Sequence, residues 1–354
     1  MLVVDDSPLI RRVVGDAIAG TSDLVVAGEA EDGLQAIRCV HQLQPDLVTL
    51  DIDMPAMGGL DALGYIMSEC PRPVVVLSGH EPAQGGDLTI RALELGAVDF
   101  VRKPSWADAL DVDTLRRRLL QALREAGNGR VAPLVPRVPP RRGWRRTSDP
   151  ATGGVPHPSA PATSVVAIAA STGGPKALAE LLPVIPPMRD AAIVVVQHMP
   201  AGFTASLARR LHELGPRPVS EACDGMPLLG GHVYVAPGGW HLVAQFIDGT
   251  PHLRVIDTPP VHGARPAADV TFASLAAAFG ARCTAVVMTG MGKDGAGGAV
   301  RVRACGGRVL VQHPDTCVVS GMGQAVLAMG AAHAVLTIPE LPAALRQHAA
   351  GDAR

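Results

Sequence analysis

The sequence predicts an α/β protein built from two doubly wound parallel-sheet domains. Short runs of aliphatic and β-branched residues alternate with amphipathic helical stretches from Leu2 to about Glu125. The same alternation begins again at Ser164, after a proline-rich break. The runs are apolar throughout, which is typical of parallel strands covered by helices on both faces. We therefore predict domains at 1–125 and 164–354, joined by a linker at 126–163.

The first domain contains five strand-like runs separated by helical stretches. The predicted strands are Leu2–Val4, Leu24–Ala27, Leu47–Leu50, Val74–Leu77 and Val98–Val101. The predicted helices include Leu34–Gln42, Leu88–Leu95 and Val112–Arg124. In such a doubly wound sheet the binding crevice lies at the carboxyl ends of the strands.

The second domain repeats this pattern over a longer stretch. The predicted strands are Val165–Ala170, Ile193–Gln197, Val233–Ala236, Cys283–Thr289 and Arg308–Gln312. The predicted helices are Pro175–Leu182, Gly202–Leu214, Val270–Phe279 and Ala296–Cys305.

Composition narrows the class of protein. The 354 residues carry a formal net charge of −2, so the chain has no overall field that attracts nucleic acid or anionic membranes. No apolar run is long enough to span a bilayer, no secretory signal is recognisable, and the six cysteines form no C-x-x-C pair. The proline- and arginine-rich segment 126–163 predicts an extended linker. We expect a cytoplasmic monomer with no nucleic-acid partner and no membrane insertion.

Polar residues follow four of the predicted strands in the first domain. Asp5 and Asp6 follow the first strand, Asp51 the third, Ser78 the fourth, and Lys103 the fifth. Each acid alone could be a turn or capping residue. Together they predict one cluster in which carboxylates bind Mg²⁺ and a hydroxyl and an ammonium contact a phosphoryl group.

The segments VVDDSP, TLDIDMPAMGGLDAL and GAVDFVRKPS resemble those of two-component receiver domains, which have a flavodoxin-like fold. The resemblance implies that Asp51 accepts a phosphoryl group from a histidine kinase and that Phe100 is the switch aromatic residue. It assigns the remaining roles as follows: Asp5, Asp6 and Asp51 at Mg²⁺, and Ser78 and Lys103 at the phosphoryl oxygens.

Three residues at strand ends suggest hydrolytic chemistry in the second domain. Ser171 begins a Ser-Thr-Gly-Gly-Pro turn, His198 follows the next strand, and Asp294 follows the strand at 283–289. Separately, Ser171 and Asp294 could be helix caps and His198 a loop residue. Together they offer a nucleophile, a base and a carboxylate that orients the base.

The segments AIAASTGGPKAL, VVVQHMPAGFTASLARRL, PPVHGARPAADVTFASLA and VVMTGMGKDGAGG resemble the Rossmann-like catalytic domain of chemotaxis protein-glutamate methylesterases. The resemblance implies catalysis by Ser171, His198 and Asp294. It also implies an oxyanion contact from the Met291 backbone N–H, and Thr172 beside the nucleophile. The implied substrates are glutamyl methyl esters and glutamines on chemoreceptor helices, hydrolysed without a cofactor in this domain.

Three departures from that family do not touch the triad: Ala169 stands where Gly is usual, His262 where Asn is usual, and the segment HPDTCVVSGMG where an acidic segment is usual. The residues also leave two other functions open. The first is a phosphorylation-controlled binding protein with a vestigial esterase site. The second is a nucleotide-binding oxidoreductase, because Gly290-x-Gly292-x-x-Gly295 with Asp315 beyond it mimics a dinucleotide fingerprint. That fingerprint leaves Ser171 and His198 unexplained.

The order of the domains predicts regulation. The family resemblance implies that the unphosphorylated receiver packs over the triad and obstructs the substrate. Phosphorylation would then shift the protein towards an open form.

Overall fold

The computed structural model describes residues 1–79, 82–103, 111–129 and 160–349, and it describes only the backbone at 82–86, 111–112 and 347–349. The first domain alternates strands and helices along the chain. Its strands are β1 (Leu2–Val4), β2 (Gly28–Ala30), β3 (Val48–Asp51), β4 (Val74–Ser78) and β5 (Asp99–Arg102). Its helices are α1 (Pro8–Ala19), α2 (Gly33–Leu43), α3 (Gly59–Glu69), α4 (Pro82–Glu94) and α5 (Asp111–Gly127).

The five strands form one parallel sheet in the order β2-β1-β3-β4-β5. The strand order reverses direction beside β1, so the carboxyl ends of β1 and β3 flank a crevice. Asp5 and Asp51 lie there. The doubly wound parallel fold predicted for this domain is confirmed.

The second strand does not lie where the sequence predicted it. Residues 24–27 were expected to form the strand, yet the ladder with β1 pairs Leu2 with Gly28 and Val4 with Ala30. The earlier segment bonds with Met1 instead: the Met1 amino group donates to the Val25 carbonyl at 2.6 Å, and the Ala27 N–H donates to the Met1 carbonyl at 2.7 Å. Since β1 begins at Leu2, residues 24–27 have no strand beside them to pair with.

The second domain begins with β6 and ends with α11. Its strands are β6 (Ser164–Ala170), β7 (Ala191–Gln197), β8 (Val219–Glu221), β9 (Val233–Val235), β10 (His241–Ile247), β11 (Thr250–Ile256), β12 (Cys283–Val287), β13 (Arg308–Gln312) and β14 (Ala334–Leu336). Its helices are α6 (Gly174–Leu181), α7 (Phe203–Leu214), α8 (Ala268–Phe279), α9 (Ala296–Ala304), α10 (Gly321–Ala328) and α11 (Leu341–Ala349).

Seven of these strands form a parallel sheet in the order β14-β13-β12-β6-β7-β9-β8, which confirms the prediction of a second doubly wound domain. The central strands β12, β6 and β7 are buried along their whole lengths, apart from the first residue of β6. The antiparallel hairpin β10–β11 was not predicted. Strands β8 and β14 and helices α10 and α11 were not predicted either.

The two domains pack against each other along α4, α6 and α7. One cluster of buried apolar side chains continues from the receiver-like domain into the second domain. Within this cluster the rings of Phe100 and Phe203 lie 4.5 Å apart, centroid to centroid. The ion pair between Arg210 and Glu94 spans the same boundary.

Most of the predicted linker, residues 130–159, lies outside the described residues, and the domain boundaries remain predictions. Within the described part of the chain, no helix has the length and apolar character needed to cross a bilayer.

Candidate active site

A cavity of about 750 Å³ opens between the two domains and contains the predicted catalytic residues. The second domain contributes Ser171, His198 and Met291 to its walls. The first domain contributes residues of β5 and α5, including Glu125. The carboxyl ends of β6, β7 and β12 therefore converge at one place, and the receiver-like domain forms the opposite wall.

Ser171 lies in a tight turn between β6 and α6. Its N–H donates to the Thr289 carbonyl at 3.0 Å, and its own carbonyl accepts from Gly174 N–H at 2.7 Å. A Cβ at Gly174 would lie 2.0 Å from Gln197 Oε1 and 2.9 Å from the Cβ of Ala170, so a larger residue there would force its neighbours to move. The helix begins from Gly173, with a φ of 76° and no capping side chain. Neither Ser171 nor Thr172 is therefore an N-cap.

His198 and Asp294 form the second half of the predicted triad. The Nε2 atom of His198 lies 2.7 Å from Asp294 Oδ2, and its backbone N–H donates to the Ala170 carbonyl. The carboxylate of Asp294 also accepts from the N–H groups of Ala268 at 2.6 Å and Asp269 at 2.9 Å. Asp294 thus stabilises the start of α8, rather than the helix that follows it in sequence.

The environment of Asp294 keeps its carboxyl ionised. Burial alone would raise its pKa, but the His198 hydrogen bond and the backbone N–H groups outweigh burial and lower the pKa below its usual value. A carboxylate on Nε2 favours the tautomer with the proton on that nitrogen. Nδ1 is then the nitrogen whose lone pair can accept the proton of a serine hydroxyl.

The nucleophile and the base are not yet hydrogen-bonded. Among the described residues, which include the whole nucleophile turn, no hydrogen bond joins Ser171 Oγ to His198. Such contacts are often long without substrate and tighten in the reacting complex. The backbone N–H of Met291 donates to no group in the described part of the chain, as an oxyanion donor requires.

The turn that carries the nucleophile, residues 171–174, forms hydrogen bonds with the receiver-like domain instead. The Thr172 hydroxyl donates to Glu125 Oε2 at 2.8 Å, and Gly173 N–H donates to the Val98 carbonyl at 3.3 Å. Glu125 Oε1 accepts from Gln121 Nε2, one turn earlier on α5. Thr172, Glu125 and their hydrogen bond are buried.

A second imidazole–carboxylate pair lies near the triad. His262 Nε2 is 2.9 Å from Asp269 Oδ2, and Asp269 Oδ1 accepts from Gly298 N–H. The ligand atoms of His262, Asp269 and Asp294 lie within 4.8 Å of one another. His262 also lines the catalytic cavity, so the departure noted in the sequence faces the substrate space.

The predicted phosphorylation site assembles at the carboxyl edge of the first sheet. Lys103 Nζ lies 2.8 Å from Asp5 Oδ2 and 2.8 Å from Asp51 Oδ2. Burial raises the pKa of Asp51 to about 6, although the hydrogen bond from Lys103 opposes this. Burial also raises the pKa of Asp5. Two carboxylates therefore share one ammonium in a poorly solvated crevice.

The donor set in this crevice fits a hard divalent cation. One carboxylate oxygen from each of Asp5, Asp6 and Asp51 lies within 4.8 Å of the others, and Asp6 is exposed to solvent. Oxygen ligands of this kind suit Mg²⁺, which would relieve the repulsion between the acids. Ser78 is buried beside them, with its carbonyl accepting from Lys103 N–H and its hydroxyl from Thr89.

These features define a class of protein: a receiver domain joined to a Rossmann-like domain with a serine-hydrolase triad, whose cavity the receiver covers. The family model described as CheB methylesterase matches residues 166–345, and the response regulator receiver domain matches residues 1–114. The chain belongs to the CheB methylesterase family. Both resemblances found in the sequence are confirmed.

Relatives match over almost the whole chain. A protein-glutamate methylesterase/protein-glutamine glutaminase from Pyrococcus horikoshii is 41% identical over 97% of this chain and 91% of its own length. One of the same name from Symbiobacterium thermophilum is 42% identical over 98% of this chain and 95% of its own. The crystal structure of the Thermotoga maritima CheB methylesterase catalytic domain covers 52% of this chain and 97% of that chain, with 41% identity and a TM-score of 0.50.

Sequence reasoning missed two residues that the structure brings to this site. Asp269 lies in an alanine-rich segment whose pattern is that of an ordinary helix start, and nothing in it indicates a role in a site. Glu125 lies on an amphipathic helix among several charged residues, and nothing in its local pattern separates it from a solvated face. Only the packing of the two domains brings Glu125 to the nucleophile turn.

Proposed function

We propose that this chain is a phosphorylation-regulated esterase that hydrolyses glutamyl methyl esters on chemoreceptor helices and deamidates glutamines there. The observation that carries the proposal is the 2.7 Å contact between His198 and Asp294 in the cavity that also contains Ser171. Membership of the CheB methylesterase family and the printed names of the relatives support the same activity.

In the proposed mechanism, Nδ1 of His198 accepts the Ser171 hydroxyl proton as Oγ attacks the ester carbonyl. Asp294 stabilises the imidazolium that forms. The Met291 N–H donates to the oxyanion. Collapse of the intermediate releases methanol, which takes its proton from His198, and leaves an acyl-enzyme.

Water then completes the cycle. His198 removes a proton from the water as it attacks the acyl carbonyl. The bond between the acyl carbon and Ser171 Oγ then breaks, Oγ takes the proton back from His198, and the product is a glutamate side chain. A glutamine offers the same carbonyl with ammonia as leaving group, which accounts for deamidation at the same site.

The receiver supplies the regulation. Asp51 is the proposed phosphoacceptor, a histidine kinase the donor, and Ser78 and Lys103 the groups that contact the phosphoryl oxygens. Asp5, Asp6 and Asp51 would hold Mg²⁺, which would neutralise charge during phosphoryl transfer. Phe100 on β5 packs against Phe203 on α7, so a movement of β5 changes a contact with the catalytic domain directly. We propose that the protein acts in the cytoplasm as a monomer.

The direct test is incubation of the phosphorylated protein with methylated receptor fragments, followed by measurement of methanol. Release of methanol by the wild type and not by Ser171→Ala supports the proposal. A folded, phosphorylated wild type that releases none contradicts it and favours a binding protein with a vestigial site.

A further inference from the structure

Glu125 is the only one of the described receiver residues whose side chain hydrogen-bonds with the nucleophile turn. It extends from α5, is buried, and accepts from the Thr172 hydroxyl at 2.8 Å, next in sequence to Ser171. Its other carboxylate oxygen accepts from Gln121 Nε2 at 2.8 Å. Both residues line the catalytic cavity.

The chemistry of this group matches the product of the proposed reaction. Demethylation of a receptor helix leaves a glutamate side chain on a helix, with its carboxylate beside the nucleophile. Glu125 presents the same side chain from the same secondary structure. Resting on the proposed function, we infer that Glu125 is a built-in product mimic that occupies the subsite of the glutamyl side chain.

The inference has a consequence for Thr172. In the closed form its hydroxyl donates to the Glu125 carboxylate; in the open form the hydroxyl is released. A glutamyl ester, a glutamine and a glutamate all carry a side-chain oxygen that can accept from it. Thr172 is therefore a positioning residue that holds the substrate side chain beside Ser171.

The position of the mimic is fixed by the backbone as well. Gly173 N–H donates to the Val98 carbonyl, which joins the nucleophile turn to the segment leading into β5. Burying a carboxylate is unfavourable unless hydrogen bonds compensate for lost water, and here Thr172 and Gln121 provide them. When the domains separate, water solvates the Glu125 carboxylate again, and this compensates for the loss of its hydrogen bond with Thr172.

The test measures methanol release from methylated receptor fragments by full-length, unphosphorylated variants. Glu125→Ala should raise turnover about tenfold, as expected when one buried hydrogen bond worth about 1.4 kcal/mol is lost from the closed form. Phosphorylation should add correspondingly less to this variant. Arg117→Ala, an exposed change on the same helix, should match the wild type. Glu125→Gln should stay inhibited, because it presents the side chain of the amide substrate.

A second comparison examines Thr172 in the Glu125→Ala background. Thr172→Val keeps the shape but removes the hydroxyl, so KM should rise about tenfold with little change in kcat. Thr172→Ser should restore KM. A merely structural role for the threonine would not give this split between KM and kcat or this rescue.

Three outcomes overturn the inference: Glu125→Ala that is no faster than wild type, Glu125→Gln that is as active as Glu125→Ala, or Thr172→Val that leaves KM unchanged. Each would make Glu125 an ordinary interface residue while the esterase function stands. If phosphorylated wild type itself releases no methanol, the proposed function has failed, and the mimic falls with it.

Discussion

Arg210 on α7 holds Glu94 on α4, with its Nε atom 2.9 and 3.0 Å from the two carboxylate oxygens. The pair joins the catalytic domain to the receiver and is only partly exposed. The hydrogen bonds that Arg210 donates to Glu94 raise the pKa of the guanidinium above its already high ordinary value. The ion pair therefore stabilises the closed arrangement in which α5 covers the cavity.

Removing that ion pair should raise the activity of the unphosphorylated enzyme. A partly exposed pair contributes up to about 1 kcal/mol, so Glu94→Gln should raise basal methanol release about two- to fivefold. Arg210→Gln should act similarly, and the double variant should be little different from either single one. Asp87→Asn removes a more exposed pair with Arg209 and should have a smaller effect. Equal effects of both pairs, or additive effects of Glu94→Gln and Arg210→Gln, would contradict this account.

Catalysis should depend on the three converging strand ends as one unit. Ser171→Ala and His198→Ala should each lower turnover by about three orders of magnitude or more, and the double variant should be little worse. Asp294→Asn should cost somewhat less. Turnover is measured with phosphorylated protein, and circular dichroism checks folding. Near-normal turnover by folded Ser171→Ala would exclude the proposed nucleophile.

The sequence predicts the site residues whose positions are set by nearby strands, and it misses those whose positions are set by packing between the domains. Ser171 and His198 directly follow the buried strands β6 and β7, and Asp294 lies in the loop after the buried strand β12, so parallel topology brings all three to one edge of the sheet. Glu125 lies in the same cavity only because the two domains pack together. The amphipathic pattern of its helix does not predict that contact. Strand β2 was misplaced because its position is set by the short partner β1, not by the apolarity of residues 24–27.

Phosphorylation should depend on Asp51 and a divalent cation. With Mg²⁺ and a small phosphodonor the protein should gain an acid-stable, base-labile phosphoryl group. Asp51→Asn should abolish it, and so should chelation of the cation, because the clustered acids then repel the donor. Incorporation of radioactive phosphate measures the effect. Labelling that survives Asp51→Asn places the acceptor at another residue.

The stability of the protein should depend on Asp99, which lines the catalytic cavity at the start of β5. Burial raises the pKa of Asp99 to about 6, the Phe100 N–H opposes this, and repulsion from Glu125 adds to it. The folded protein thus binds this proton more tightly than the unfolded chain. The contribution of the protonated Asp99 to the free energy of unfolding is complete below about pH 4 and is lost as the pH rises to about 6.

Asp99→Asn should therefore raise Tm at pH 7.5, by about 2 °C, and change it little at pH 4. The asparagine keeps an oxygen for the Phe100 N–H and removes only the charge. Asp16→Asn, an exposed control, should shift Tm at neither pH. Thermal unfolding followed by circular dichroism across this range measures the effect. An equal shift of Tm at pH 4 and pH 7.5 would show that charge is not the cause.

Removal of the receiver should relieve inhibition altogether. Residues of β5 and α5 form one wall of the catalytic cavity, so deleting residues 1–160 opens it to a large helical substrate. The remainder retains a buried core of its own around β6, β7 and β12, although it exposes Phe203. The fragment should release methanol faster than unphosphorylated full-length protein and should not respond to phosphodonor. If the folded fragment is no faster, the receiver does not limit access to Ser171, and recruitment to the receptor becomes the better explanation of its role.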